Sequence, residues 1–290
     1  MKVNSKQARM ALVLAVALTG TAAAYGQAAG TAPPPQPAPA AGDKPAAPQQ
    51  GAPLTLESTP APVNAEEDAA IKAFRESKPE DLTQKNQAAE TFLQKYPQSR
   101  YCAEVYSWQV RYFLSKNEVD KMEAAGDKQL ALTPNDAQTL VIVGSTLPRA
   151  MNASTPEPQK RLAKAEQYCQ KALDVLPTMT KPEGMTDEQF LRAKNQTAAM
   201  AYSGLGLVAF RRGKFADAIP NFEQSVKIDP QPDPVNYYLL GICNEKTAHF
   251  EDAVTDFTKC SAIPGGVQAT CQQSIDEAKK LGATQLSAPK

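Results

Sequence analysis

Four sets of residues in this 290-residue chain are of types that could do chemistry. They are the one histidine, His249, the acidic runs Glu66-Glu67-Asp68 and Glu80-Asp81, the glycine pattern Gly204-x-Gly206-x-x-Ala209, and five cysteines. A nucleophilic triad or a catalytic zinc site draws on imidazoles, and a single His leaves little to build one from. No Cys or His stands at ligand spacing from His249, which reads as a surface imidazole in a turn. The acidic runs fall where helices should begin, where negative charge complements the macrodipole. The glycine pattern matches a dinucleotide fingerprint on paper, but that motif needs a strand before it and a phosphate-facing turn after it. Both glycines here lie inside a helical pattern. The chain offers no catalytic, cofactor-binding or metal-ligating set, and reads as a binding protein rather than an enzyme.

The cysteines are Cys102, Cys169, Cys243, Cys260 and Cys271. In an oxidising compartment some should pair, and five leaves at least one over. Cys260 and Cys271 flank the turn at Gly265-Gly266 almost symmetrically, so an antiparallel hairpin could join them. Cys243, one helix earlier, competes for Cys260, and all five as small buried apolar residues is the third possibility.

The elements that would position these residues are helices. From about residue 65 to 283, apolar residues recur at i, i+3 and i+4, as in Ile71 with Phe74, Ala89 with Leu93, and Ala218 with Phe222 and Val226. Prolines stand where helices should stop, at Pro97, Pro134, Pro177, Pro230 and Pro264, separated by 37, 43, 53 and 34 residues. A stop signal recurring at that interval is what stacked helical hairpins produce.

Two units carry a recognisable spacing. The first is Tyr202-x-x-Leu205-Gly206-x-x-Ala209, then Gly213-x-Phe215-x-x-Ala218-x-x-x-Phe222, ending at Pro230. The second is Tyr237-x-x-Leu240-Gly241, then Phe250-x-x-Ala253-x-x-x-Phe257, ending near Pro264. This pattern resembles the tetratricopeptide repeat, with its clearest copies at 199–232 and 234–265. The resemblance implies an all-α, right-handed α-α superhelix of about five hairpins with a capping helix after Gly265-Gly266. It pairs Gly206 with Ala218 and Gly241 with Ala253 as close helix approaches. Upstream, Leu140-x-x-Val143-Gly144 with Leu162-x-x-Ala165 outlines a third hairpin whose turn is lengthened around 152–158. Tyr106 to Leu132 and Ile71 to Tyr96 outline two more. Thr186-Asp187-Glu188-Gln189 reads as a capping box opening a helix to Arg212, and Pro220 lies within about the first turn and a half of its helix, where it costs less. The family's partner groove, lined by the first helix of each repeat, maps onto Ser203, Leu207, Phe210, Tyr238, Ile242 and Glu245. Those residues are not the Lys and Asn of the family's carboxylate-clamp members, so a chaperone C-terminus is not the implied ligand.

The N-terminus reads as an export signal over residues 1–24: Lys2, Lys6 and Arg9, then the apolar run Met10 to Leu18, then Ala22 and Ala24 before Tyr25. That run is shorter than a bilayer span. Residues 25–64 are mostly Ala, Pro, Gln and Gly, with almost no large apolar residue, and Pro33-Pro34-Pro35-Gln36-Pro37-Ala38-Pro39 bars helix and central strand. Such a linker is expected to stay disordered, and at about 3.1 Å per residue the 39 residues from Gly26 to Asn64 reach on the order of 120 Å. Residues 284–290 read as a flexible tail. Lys plus Arg equals Asp plus Glu at 31 each, which argues against a nucleic-acid partner. The sequence therefore suggests an exported, periplasmic or secreted scaffold that binds another envelope protein or peptide, with no membrane span after signal removal. A structural spacer and a chaperone-like holder of unfolded outer-membrane proteins are the alternative readings.

Overall fold

In the computed structural model, residues 64–77 and 82–286 are described. The export signal, nearly all of the linker, Glu80-Asp81 and residues 287–290 lie outside them. Eleven α-helices follow one another among the described residues, with no strand: α1 Ala65–Glu76, α2 Leu82–Lys95, α3 Cys102–Ser115, α4 Val119–Leu132, α5 Ala137–Ala150, α6 Pro158–Val175, α7 Asp187–Arg211, α8 Phe215–Ile228, α9 Pro234–Lys246, α10 Phe250–Ala262 and α11 Gln268–Leu286. A short 3-10 turn, Leu176–Thr178, follows α6.

Local chemistry sets the boundaries. Asn64 caps α1 by accepting from the Glu66 and Glu67 amides, and Glu66, Glu67 and Asp68 fill its first turn. Asp136 caps α5 through the Thr139 amide, and Asp233 caps α9 through Val235 with Pro234 in the first turn. Thr186 and Gln189 form the reciprocal capping box that opens α7, satisfying two amides that have no partner inside the helix. Pro220 sits in α8 at its sixth residue, and Pro148 lies near the end of α5.

Pairs α1/α2 through α9/α10 form five hairpins, and α11 packs on α10 as a cap. The cap buries Cys271, Ser274, Ile275 and Ala278 and exposes Gln272, Gln273, Asp276, Lys279 and Lys280, the polar outer face that ends a solenoid. Its helix runs to Leu286, three residues past the boundary expected from sequence. One stack unites early and late hairpins. Val208 of α7 shares a core cluster with Val110, Met122, Val143 and Leu162 of α3 to α6.

The second, fourth and fifth hairpins use one turn. Asn117, Gly213 and Ala248, each two residues before its second helix, have φ of 57°, 74° and 63°. Their amides donate to the carbonyls of Leu114, Phe210 and Glu245, and the next residue's amide reaches Phe113, Ala209 and Asn244. Glycine adopts that left-handed conformation freely, asparagine tolerates it, and alanine is strained.

Gly206 and Gly241 mark a close approach, and the atoms that meet them first belong to rings on the facing helix. A Cβ on Gly206 would lie 2.8 Å from the Phe222 ring, and one on Gly241 would lie 2.6 Å from the Phe257 ring. The nearest atoms are those of the phenylalanines, with Ala218 and Ala253 fully buried in the same core. In an antiparallel pair whose second helix carries a ring, the first helix must supply the missing volume.

Candidate protein-interaction face

Of the six groove residues expected from sequence, four are not at the surface. Ser203, Leu207, Phe210 and Tyr238 are buried, while Ile242 and Glu245 are half-buried. The cause is α9, which lies over α7. Leu207 and Phe210 share one core cluster with Val235, Tyr238 and Leu239. The Ser203 hydroxyl donates to Asn236 Oδ1 at 2.8 Å, Asn236 Nδ2 donates to Ser225 Oγ at 3.1 Å, and the Ser225 hydroxyl donates to the Ala199 carbonyl at 2.9 Å. A buried polar chain of this kind stays only because each member is satisfied. These positions build the stack and do not present a partner surface.

The shared turn fixes the register, so the positions equivalent to Ser203, Leu207 and Phe210 in α3 are Ser107, Arg111 and Leu114. Here the face is open. Arg111 is exposed, Leu114 is 39% exposed, and Arg111 Nη1 donates to Ser107 Oγ at 3.0 Å. In α5 the same face is closed, with Val141, Ser145 and Pro148 buried. A Cβ on Gly204 of α7 would lie 3.2 Å from the Ser145 Cα and 2.4 Å from the Cys169 Sγ. That contact explains the first glycine of the nucleotide-like pattern as backbone packing inside a helix. Sequence reasoning missed Arg111 and Leu114 because α3 lacks the Tyr-x-x-Leu-Gly signature. Asn117, tolerant of the left-handed turn, was the residue that could have set the register.

Fixed charges lock the closed region. Arg211 donates to the carbonyls of Pro148 at 2.8 Å and Met151 at 2.6 Å, capping the end of α5, and burial pushes its pKa down to about 10. Arg149 pairs with Asp233 at 3.1 Å, tying α5 to the start of α9. On the other side Glu123 and Asp127 of α4 engage Arg161, Lys164 and Tyr168 of α6, with Lys164 at 2.7 Å from each carboxylate. Burial, then the Asp127 hydrogen bond, pushes the Tyr168 phenol up to about 12.

The remaining reactive types are placed structurally. His249 precedes α10 with its Nδ1 2.8 Å from the Thr247 hydroxyl. No cluster of three or more metal-ligating side chains occurs among the described residues. Cys260 and Cys271 are joined as a disulfide, Cα–Cα 5.9 Å, which staples the cap to α10. Cys102, Cys169 and Cys243 are free and buried. Burial holds the Cys169 and Cys243 thiols near about 12, so neither is a thiolate nucleophile.

Aromatic rings concentrate at the open end. The Trp108 ring meets Phe74 edge-on at 5.7 Å and stacks on Tyr112 at 5.1 Å and 14°. Lys85 Nζ lies 4.9 Å from the Phe74 centroid and 5.8 Å from that of Trp108, and Lys116 Nζ lies 5.9 Å from that of Tyr112. Trp108 and Tyr112 are one helical turn apart, which puts them on one face of α3.

Residues 199–232 match the tetratricopeptide repeat family. Among solved structures the chain is similar to PilW, a widely conserved type IV pilus biogenesis factor, with 17% identity, a TM-score of 0.50, and coverage of 77% of this chain and 91% of that one. Further similarities are to pilF of Pseudomonas aeruginosa, with 18% identity, a TM-score of 0.49, and 75% and 87% of the two chains covered. A thermophilic repeat protein of Thermus thermophilus gives 15%, 0.44, and 73% and 98%. The likeness to PilW is one of fold. No curated protein matches the sequence.

Proposed function

We propose that this tetratricopeptide-repeat protein is an exported, non-catalytic scaffold that holds another envelope protein against the first-helix face of its solenoid. The observation that carries the reading is the uneven covering of that face. It is closed over α5 and α7 by the next helices, and open at α3 where Arg111 and Leu114 are accessible. An exposed cation beside an exposed aliphatic side chain suits a partner segment that brings both charge and apolar surface. Ile242 and Glu245 form a smaller half-covered extension at α9.

Export is supported by Lys2, Lys6 and Arg9 ahead of the Met10 to Leu18 run, and a disulfide at Cys260–Cys271 suits an oxidising compartment. No helix among the described residues is long and apolar enough to cross a membrane. N-terminal sequencing of the protein from its native cell should begin at Tyr25; an intact Met1 refutes cleavage.

The interaction is tested by a photo-crosslinker at Leu114 in cells, with adducts identified by mass spectrometry. One dominant protein adduct, lost with Arg111→Glu, is expected. A spread of many weak adducts points instead to a holder of unfolded chains. An adduct-free but folded protein would refute the open face as the docking surface and turn attention to the Pro/Ala linker.

A further inference from the structure

The column Lys85–Trp108–Tyr112–Lys116 stands out because its two ends are cations and its middle is a stacked, near-parallel ring pair. It exists because of where α1 stops. By the shared turn register Trp108 occupies the position of Gly204, and at Gly204 the neighbouring α5 comes so close that no side chain fits. At Trp108 the preceding first helix is α1, which ends at Glu76. The freed volume holds a large ring, and Trp108 and Tyr112 remain half-exposed.

Among the described residues the nearby carboxylates are already engaged, with the Glu104 charge also felt at Lys85. Glu104 takes Arg75 at 2.6 Å, Glu118 takes Lys121 at 2.5 Å, and Glu90 accepts from Asn86 Nδ2 at 2.8 Å. Lys85 and Lys116 form no ion pair among the described residues. Each covers a ring face and keeps donors free, and burial lowers the pKa of Lys85, a penalty that an incoming carboxylate would offset. An ammonium group lies over each ring, which leaves the half-exposed ring edges along the column for a ligand to cover.

We infer that this column docks an extended acidic segment of a partner protein, with two carboxylates four residues apart and an apolar side chain midway between them. Successive side chains of an extended chain alternate faces at a rise of about 3.3 Å per residue, so a four-residue separation turns both carboxylates and the middle side chain toward the column over about 13 Å. The carboxylates meet the two ammonium groups, and the apolar side chain covers the exposed edges of Trp108 and Tyr112. The inference rests on the scaffold reading above and specifies the chemistry of its partner.

Trp108 is the one tryptophan of the chain, so its emission reports on this site alone. The full chain is titrated with an acetylated peptide that has glutamates at both ends of a Gln-Leu-Gln core. Twin peptides carry glutamine or lysine at the two ends. The glutamate peptide should shift and saturate the emission, with at least tenfold weaker binding for the glutamine twin and no response to the lysine twin. Lys85→Gln and Lys116→Gln should each weaken binding several-fold with unchanged helical circular dichroism, and raising salt should weaken it further. Equal responses to all three peptides, or binding untouched by both lysine substitutions, would overturn the assignment. So would a flat titration to millimolar peptide in protein whose circular dichroism is native. The two readings can fail separately. A dominant crosslink from Leu114 beside a flat titration sinks the column alone, whereas a saturable charge-dependent titration without a crosslink upholds the column and sinks the first-helix face.

Discussion

The second hairpin and the last two fill the same space between paired helices with opposite placements of bulk. In α7/α8 and α9/α10 the first helix carries glycine and the second a ring: Gly206 against Phe222, and Gly241 against Phe257. In α3/α4 the equivalent positions are Val110 on the first helix and Gly126 on the second. A Cβ on Gly126 would lie 2.5 Å from Val143 Cγ2 of the following hairpin. The third hairpin is intermediate. Gly144 faces Cys169, and Gly204 of α7 closes on the same sulfur, leaving room for a thiol and not a ring. The same volume is thus divided differently along the stack. The first-helix face is sealed over α5, where α7 packs against its backbone, and over α7, where side chains of α9 cover it; at α3 it is open.

The largest test of that comparison is truncation at the ring position. Phe222 is fully buried, and Phe222→Ala leaves a void that should cost about 3 to 5 kcal/mol. Cys169→Ala removes one sulfur from the corresponding contact and should cost about 1 kcal/mol, near the loss of a single buried group. Thermal unfolding followed by circular dichroism reads both. Equal losses would mean that the two hairpins do not share one packing scheme.

The same contrast explains what could be read from the sequence. The late hairpins keep large and small residues at the family's positions, so their period, helix limits and solenoid class were legible, as were the capping box at Thr186 and the tolerated Pro220. What failed was the step from signature to surface. Ser203, Leu207, Phe210 and Tyr238 occupy groove positions by spacing, yet whether such a position is open depends on how closely the neighbouring helix packs, a long-range fact that spacing does not encode. Gly204 and Cys169 looked like loose ends because their meaning lies in one contact between three helices. Arg111, Leu114 and the Trp108 column sit in hairpins whose inverted bulk hides the repeat.

A second, smaller difference is electrostatic. In the last hairpin Asp256 is 6% exposed and accepts from Asn244 Nδ2 at 2.8 Å. Burial pushes its pKa up to about 6, although the Asn244 hydrogen bond and Lys259 pull the other way. A folded-state pKa above the ordinary carboxylate value means stability is greatest below about pH 4 and is lost as pH rises through 6. Asp256→Asn keeps an acceptor for Asn244 and removes the charge. It should stabilise on the order of 2 kcal/mol above pH 7 and give no gain at pH 4. A pH-independent gain would show that the carboxylate is not the cause.

The smallest expected effect isolates the turn that the second, fourth and fifth hairpins share. Gly213 and Ala248 have the same left-handed φ, at 74° and 63°, and the same two amide bonds close each turn. Only the glycine adopts that conformation without a Cβ penalty of about 1 kcal/mol. Ala248→Gly should therefore stabilise the last hairpin, by somewhat less than 1 kcal/mol because glycine also gains entropy in the unfolded chain. Gly213→Ala should lose a similar amount, since no atom lies within 4 Å of the added Cβ and strain alone acts. Opposite signs of near-equal size in thermal melts would confirm one turn serving two hairpins. Matching signs would mean that the turns are set by their flanking helices and not by the backbone of residues 213 and 248.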